Sequence, residues 1–325
     1  MDVFVQKVQS RPINGKHSLV RKLGEGGQGG VYLGRDLDTC EEVALKLEHQ
    51  SIEPSILEDE AENYRAFHGI AGFPDVYWYG WHDDYKVMAF ELLGPSLDDL
   101  FTYCGKIFSL KTTLLLADQL LIRLCALHSR KVVHRDVKPQ NFLAGSGANS
   151  TVIYVVDLGL MSRFASDCST VDNYVSGTSR LVGTTRFASI RGHEGRDQSP
   201  RDDLESLGYM LVYFMRGRLP WQGLNLPGVE KEQSVMERKK CLKAEQLCKG
   251  LPKEFADYMR YVKCLSHGEM PDYSKLRDLF RNLAKKENLG YDAVFDWTIL
   301  LFLERSRNEK HSVQQEGLRS VAPHD

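Results

Sequence analysis

The sequence predicts an α+β fold, rich in strands over residues 17–92 and helical over residues 95–303. Three observations carry this reading. Strand-like runs crowd the first third of the chain: His17 to Gly24, Val31 to Gly34, Glu42 to Leu47, Asp75 to His82 and Tyr85 to Leu92. The pair Gly94-Pro95 then ends the last run. Beyond it the apolar spacing becomes helical and stays so to about Leu303. A chain of 325 residues with 42% hydrophobic and 26% charged residues can bury a large core. Residues 1–16 read as a polar N-terminal extension and 304–325 as a short, loose polar tail.

Composition excludes several function classes. A net charge of −2 gives no basic field for nucleic acid. The seven cysteines are irregularly spaced and form no Cys-x-x-Cys pair, which points to free thiols in a reducing compartment. No apolar run approaches the roughly 20 residues of a bilayer span. The start lacks the apolar core of a signal peptide, and the last residues, SVAPHD, hold no lipidation cysteine. A soluble intracellular protein without transmembrane or lipid anchor is expected. No internal repeat is visible.

Between the first two strands lies Gly24-Glu25-Gly26-Gly27-Gln28-Gly29-Gly30-Val31, a GxGxxG pattern that is weak alone. In a dinucleotide-binding fold such glycines end a strand and open a helix. Here strand-like segments follow, so the glycines join two strands. Ser55 to His68 reads as a helix with Pro54 beside its start and Ile56, Ala66 and Phe67 as its buried stripe. Leu97 to Tyr103 is a short helix. Ser109 caps a long amphipathic helix to Arg130, with Leu110, Leu114, Ala117, Leu121, Leu124 and Cys125 on one face. Met161 to Ile190 is a long irregular stretch, Arg201 opens a helix through Met215, and Arg218 to Gly223 is a turn.

The chemistry concentrates between His134 and Gly159. Asp136 and Asn141 are five positions apart, and Asp157 follows the apolar run Val152 to Val156. One carboxylate can take a proton from a hydroxyl while the other, with the amide, holds magnesium on a nucleotide's phosphates. The spacing resembles the protein-kinase catalytic loop, His-Arg-Asp-x-x-x-x-Asn, followed by its Asp-Phe-Gly element. In that frame the glycines, closed by Val31, resemble the kinase hairpin over the ATP phosphates. Val43-Ala44-Leu45-Lys46 stands where kinases have Val-Ala-Ile-Lys, so Lys46 is expected to pair with the α and β phosphates. Its partner is a glutamate of the first helix, where Glu58, Glu60 and Glu62 compete; spacing favours Glu60. Asp203 matches the aspartate that hydrogen-bonds the catalytic loop, though it also suits a helix N-terminus.

Further runs resemble the casein kinase 1 family: Glu91 to Leu97 (ELLGPSL), Leu114 to Gln119, His134 to Leu143, Gly183 to Ile190, RDDLESLGYMLVYF, Leu219 to Leu224 and Tyr291 to Trp297. The resemblance spans about residues 17–303. It implies a two-lobed, monomeric serine/threonine protein kinase using ATP and magnesium, cytoplasmic or also nuclear, on protein substrates in acidic surroundings. It implies Asp136 as base, Lys138 and Lys46 as charge neutralisers, and Asn141 and Asp157 as metal ligands. Leu23, Gly24, Glu25, Gly26, Gly27 and Gly29 would cover the nucleotide. Val31, Ala44, Phe90, Leu93, Leu143 and Val156 would line the adenine slot, and the linker after Glu91 would grip the adenine edge.

Four departures matter. Leu158 replaces the usual Phe and should pack under the first helix. Phe90 replaces Met and should narrow the rear of the slot. Gln140 replaces an acid beside Asn141 and should be tolerated. Glu232 stands for a lysine of a site that, with Arg186 and Gly223, accepts a phosphorylated substrate residue; a carboxylate there disfavours the anion. Strong preference for phosphate-primed substrates is therefore not expected. The lost basic run also weakens nuclear targeting. The resemblance implies constitutive activity, with no hydroxyl in Leu181-Val182-Gly183 to phosphorylate. The competing classes are a neighbouring kinase branch with a restricted substrate and a non-catalytic ATP-binding scaffold. Intact Lys46, Asp136, Asn141 and Asp157 argue against the scaffold.

Overall fold

Residues that face each other across paired strands share a side of the sheet, so register decides what reaches the cleft. β1 (His17–Gly26), β2 (Gly29–Asp36), β3 (Glu42–His49), β4 (Val76–His82) and β5 (Tyr85–Glu91) form an antiparallel sheet in the order β1-β2-β3-β5-β4. Val31 pairs with Lys46, and Lys46 with Met88; Leu33 pairs with Ala44, and Ala44 with Phe90. The alternate residues Tyr32, Val43, Leu45, Leu47, Val87 and Ala89 lie on the other side, packed with Ile13 and Leu19 into a core of their own. One face is thereby closed, and the other presents Ala44, Lys46 and Phe90.

The computed structural model describes residues 11–26, 29–164, 181 and 183–319. Gly27, the remainder of the 1–16 extension, Val182 and most of the 161–190 stretch lie outside the described residues. The extension is shorter than its polarity implied. Ile13 is fully buried in the sheet's own core and its backbone bonds to His17. One apolar residue in a polar run found a hydrophobic face to cover.

The first helix, α1 (Leu57–Arg65), buries Leu57, Glu60, Ala61 and Tyr64, with Phe67 beyond its end. This corrects the expected stripe: Ala66 is exposed and Ile56 half-buried, because the helix starts at Leu57 and the 3.6-residue repeat counts from there. Three acids in its first turn suit the helix dipole.

The linker after β5 is tied to the second lobe. Gly94 N donates to Ala144 O at 2.8 Å and Ala144 N to Pro95 O at 3.0 Å. α2 (Leu97–Tyr103) opens on a capping box between Ser96 and Asp99. α3 (Leu110–His128) is capped by Ser109, whose Oγ accepts from Thr112 N at 3.1 Å. The expectation of one buried face understates α3: Thr112, Thr113, Asp118 and Arg123 are buried as well, because other elements cover its polar side. Arg277 and Arg281 neutralise Asp118.

The helical lobe continues with α4 (Ile190–His193), α5 (Pro200–Arg216), α6 (Gly228–Cys241), α7 (Ala244–Leu247), α8 (Lys253–Cys264), α9 (Tyr273–Lys286) and α10 (Asp296–Arg319). Its largest core includes Phe101, Phe108, Phe214 and Trp297, with neighbouring ring centroids 5.0–5.5 Å apart. The tail is not loose over 304–319. It continues α10, whose first residue is anchored by Asp296 accepting from Ser109 N and Oγ at 2.6 Å each. The six described cysteines are free. Among the described residues no helix is long and apolar enough to cross a membrane.

Candidate active site

Local hairpin geometry brings Asn141 and Asp157 of the central stretch together. β6 (Val132–Val133) delivers the chain to His134. A single 3-10 turn, Pro139–Asn141, then leads into β7 (Phe142–Ala144), which pairs antiparallel with β8 (Ile153–Val155). Val156 N donates to Asn141 O at 2.9 Å, so Asn141 and Asp157 leave the same end of this hairpin. Asn141 Nδ2 donates to Asp136 O at 2.9 Å and to its carboxylate at 3.3 Å. That leaves the amide oxygen as the group able to ligate a metal. Lys138 Nζ donates to Asp136 Oδ2.

Asp203, buried at the start of α5, fixes this loop. It accepts from His134 N at 2.7 Å, Arg135 N at 2.9 Å and His128 Nε2 at 2.8 Å. Burial would raise its carboxyl, but hydrogen bonding and charge from His128 and His134 hold it below its ordinary value. The expected contact with the catalytic loop is therefore made, and the role of a mere dipole acid does not describe it. Arg135 Nε donates to Leu160 O at 2.6 Å.

Across the cleft, Lys46 Nζ lies 2.6 Å from Glu60 Oε2 and 3.5 Å from Asp157 Oδ1. Glu60 wins over Glu58 and Glu62 because the helix turns it inward; its side chain is 2% exposed. Burial opposes the Lys46 charge, yet the two carboxylates hold its ammonium above the ordinary value. Asp157 has a left-handed backbone, φ 63°, which costs a non-glycine residue about 1 kcal/mol. Its N–H donates to Tyr64 Oη at 2.8 Å, which offsets that strain. Leu158 is fully buried, and its carbonyl accepts from Asn63 Nδ2 of α1 at 2.9 Å. The packing expected of Leu at this position is what it provides.

The glycine hairpin pairs Gly24 with Val31 and Gly26 with Gly29. Gly29 has φ 128°, and a Cβ there would sit 2.0 Å from Leu47 O, so the fold itself demands glycine. Gly24 differs: nothing lies within 4 Å of an added Cβ. Protein packing does not require glycine there. Leu23 and Glu25 are exposed along β1. Ala44 is buried, and Val31, Phe90, Leu93, Leu143 and Val156 are half-buried, as cleft-lining side chains are. Phe90 stacks on Tyr64 with planes 11° apart, which fills the rear of the slot. Glu91 N is spent on Asp75 O, whereas among the described residues no backbone group takes up the Leu93 N–H or carbonyl.

Residues 17–287 match the model of the protein kinase domain. The chain belongs to the protein kinase family. A protein kinase domain is a phosphotransferase that uses ATP and acts on protein substrates, and the five-stranded lobe over a helical lobe is its fold. The kinase domain has a donor set suited to magnesium. Among the described residues no cluster of three or more His, Cys, Asp or Glu could hold a metal alone. Asp157 and the Asn141 oxygen could supply two hard ligands, which would fit an ion that shares its coordination with phosphate.

Two residues of this site escaped the sequence reading. Thr184 donates to Asp136 Oδ1 through both N and Oγ1, each at 2.9 Å. Gly183, φ 96°, permits this, because a Cβ there would lie 2.6 Å from Arg135 O. Tyr64 is the other. Tyr64 carries no motif signal, whereas Thr184 lies in the Gly183 to Ile190 run, whose resemblance signalled a family motif but not a contact with Asp136. In the candidate anion site, Arg186 stacks over Phe187 and Tyr213 at 5.7 and 5.6 Å, and its carbonyl accepts from Trp221 Nε1 at 2.8 Å. Gly223, φ 79°, follows Trp221 on the same turn, and Glu232 is half-buried on α6.

Proposed function

We propose that this kinase is a serine/threonine protein kinase of casein kinase 1 type. The observation that carries the reading is the bidentate grip of Thr184 on Asp136, beside Lys138 on the same carboxylate. A carboxylate held by a hydroxyl and an ammonium can accept the proton of a small substrate hydroxyl presented over it. Asp136 orients that hydroxyl and takes its proton. Lys138 and Lys46 balance charge as the γ-phosphoryl group moves, and Asn141 and Asp157 are the magnesium ligands. Magnesium held there would supply neutralisation of the negative charge that develops on the phosphates. Catalysis then rests on positioning and electrostatics. The casein kinase 1 assignment rests on the Glu91–Leu97, Gly183–Ile190 and Leu219–Leu224 runs. A monomer acting on acidic segments, with weak preference for phosphate-primed sites because of Glu232, completes the reading. We place it in the cytoplasm.

The deciding experiment mixes the protein with magnesium-ATP and casein and compares Asp136→Asn. Loss of a general base costs about 100- to 10,000-fold, so label should fall by that factor. Equal label in both proteins would instead favour a non-catalytic scaffold, and phosphotyrosine in the product would overturn the serine/threonine assignment. Thr184→Val, which removes one charge-assisted hydrogen bond to Asp136, should lower kcat/KM for casein by about tenfold or more. Steady-state kinetics at saturating ATP check this, and an unchanged kcat/KM would remove Thr184 from the site.

A further inference from the structure

The segment that carries Thr184 is held from below by one buried cation. Lys239 of α6 is 1% exposed. Its Nζ donates to Thr185 O at 2.9 Å and Ala188 O at 2.7 Å, and lies 3.1 Å from His193 Nε2. The rings of Tyr209 and Trp221 flank it at 5.0 and 5.1 Å. Trp221 meanwhile holds Arg186 O. Residues 185, 186 and 188 are thus pinned by their carbonyls, directly after Thr184 has gripped Asp136.

The charged groups around this point do not explain Lys239 as an ordinary ion pair. Glu205 of α5 contributes an attractive charge, but its Oε1 is engaged by Tyr209 Oη and Ile190 N. Glu194 is taken by Lys240 and Arg196. Burial first, and then the Lys239 charge, push His193 down to about 3, so its ring is neutral. Burial pushes Lys239 itself down to about 7. A buried amine with neutral partners costs stability in any core, and an apolar side chain of similar length would fill the same space.

We propose that Lys239 is a positioning residue for phosphoryl transfer: by tying the Thr185 and Ala188 carbonyls to the α5–α6 core, it holds Thr184 against Asp136. The proposal rests on the kinase reading for its effect on rate, and on geometry alone for the pinning. It predicts a specific dissociation of effects. Lys239→Met keeps the length and the contact with both rings but offers the two carbonyls no donor.

Hydrogen exchange and kinetics on the full chain test it. In Lys239→Met the amides of residues 183–193 should exchange about tenfold or more faster, as one donor shared by two carbonyls is lost. kcat/KM for casein should fall by a similar factor, while KM for ATP and Tm stay near those of the wild type. Unchanged exchange in 183–193, or loosened exchange with unchanged transfer, would overturn the proposal. So would ATP binding that fails in proportion to transfer, since that is the mark of a merely structural lysine. A wild type that transfers no phosphate sinks the kinase reading instead, and the exchange result then decides by itself whether Lys239 pins the segment.

Discussion

Replacing Lys46 with Met is expected to lower phosphoryl transfer to casein about 100- to 1,000-fold, the usual cost of removing one preorganised charge from a transition state. Two consequences follow from where Lys46 sits. It lies between Glu60 and Asp157, at 2.6 and 3.5 Å. Without the ammonium these carboxylates face one another across the cleft, and the buried Glu60 must lose its charge or carry it unpaired. Removing one partner of a buried pair costs about 3 kcal/mol or more. The Lys46→Met variant should therefore also unfold earlier. Adding Glu60→Gln should restore most of that stability, because the stranded charge is gone, and should not restore transfer. A double-mutant cycle in urea, run beside the kinase assay, separates the two. Recovery of transfer in the double variant would show that Lys46 acts by supporting α1 and not by meeting phosphate.

Asp203→Asn should be the most damaging isosteric change in the helical lobe. Asp203 accepts three hydrogen bonds, from His128, His134 and Arg135, at a fully buried position. An amide presents a donor where three donors converge, so at least one buried N–H loses its acceptor. The cost is about 3 kcal/mol, which for a chain of this length corresponds to a Tm fall of roughly 4 to 5 °C. Transfer should fall with it, since His134 and Arg135 frame Asp136. The pH dependence has a definite sign. The folded Asp203 carboxyl lies below its ordinary value of 3.8. Its contribution is present above that value and is lost as pH falls through the lower folded one. The stability gap between wild type and Asp203→Asn should be largest near neutrality and should shrink in acid. Thermal unfolding at neutral and acidic pH measures this, and a gap that widens in acid would contradict it.

Much of the site was legible because its residues sit in rigid local patterns. A hairpin of glycines between strands, a lysine on the next strand, and Asp, Asn and Asp around one β-hairpin announce themselves by spacing. The strands and the helices Leu97–Tyr103 and Leu110–His128 were legible for the same reason, through alternation, Ser caps and apolar repeats. The misses share a different cause. Ile13 looked like part of a polar extension, and it is buried because the sheet's outer face needed a cover. Residues 304–319 looked like a loose tail, and they are helical as the continuation of a helix anchored at Asp296. In both places local composition was outvoted by what lay beside it in space.

The sequence by itself determined the strand-rich first third, the helical remainder and the choice of strands around the glycines, since each depends on neighbours within a few residues, while the two-lobed class and the roles expected of Lys46, Asp136, Asn141 and Asp157 came from resemblance to known motifs. Spacing had already favoured Glu60 as the partner of Lys46, but tertiary structure alone decided that Thr184 and Tyr64 hold the two aspartates, and that Lys239 reaches under the 184–188 segment. Those contacts join residues up to 93 positions apart. Chain spacing carries no information about such pairs, because packing, and not the local backbone, brings them within hydrogen-bond reach.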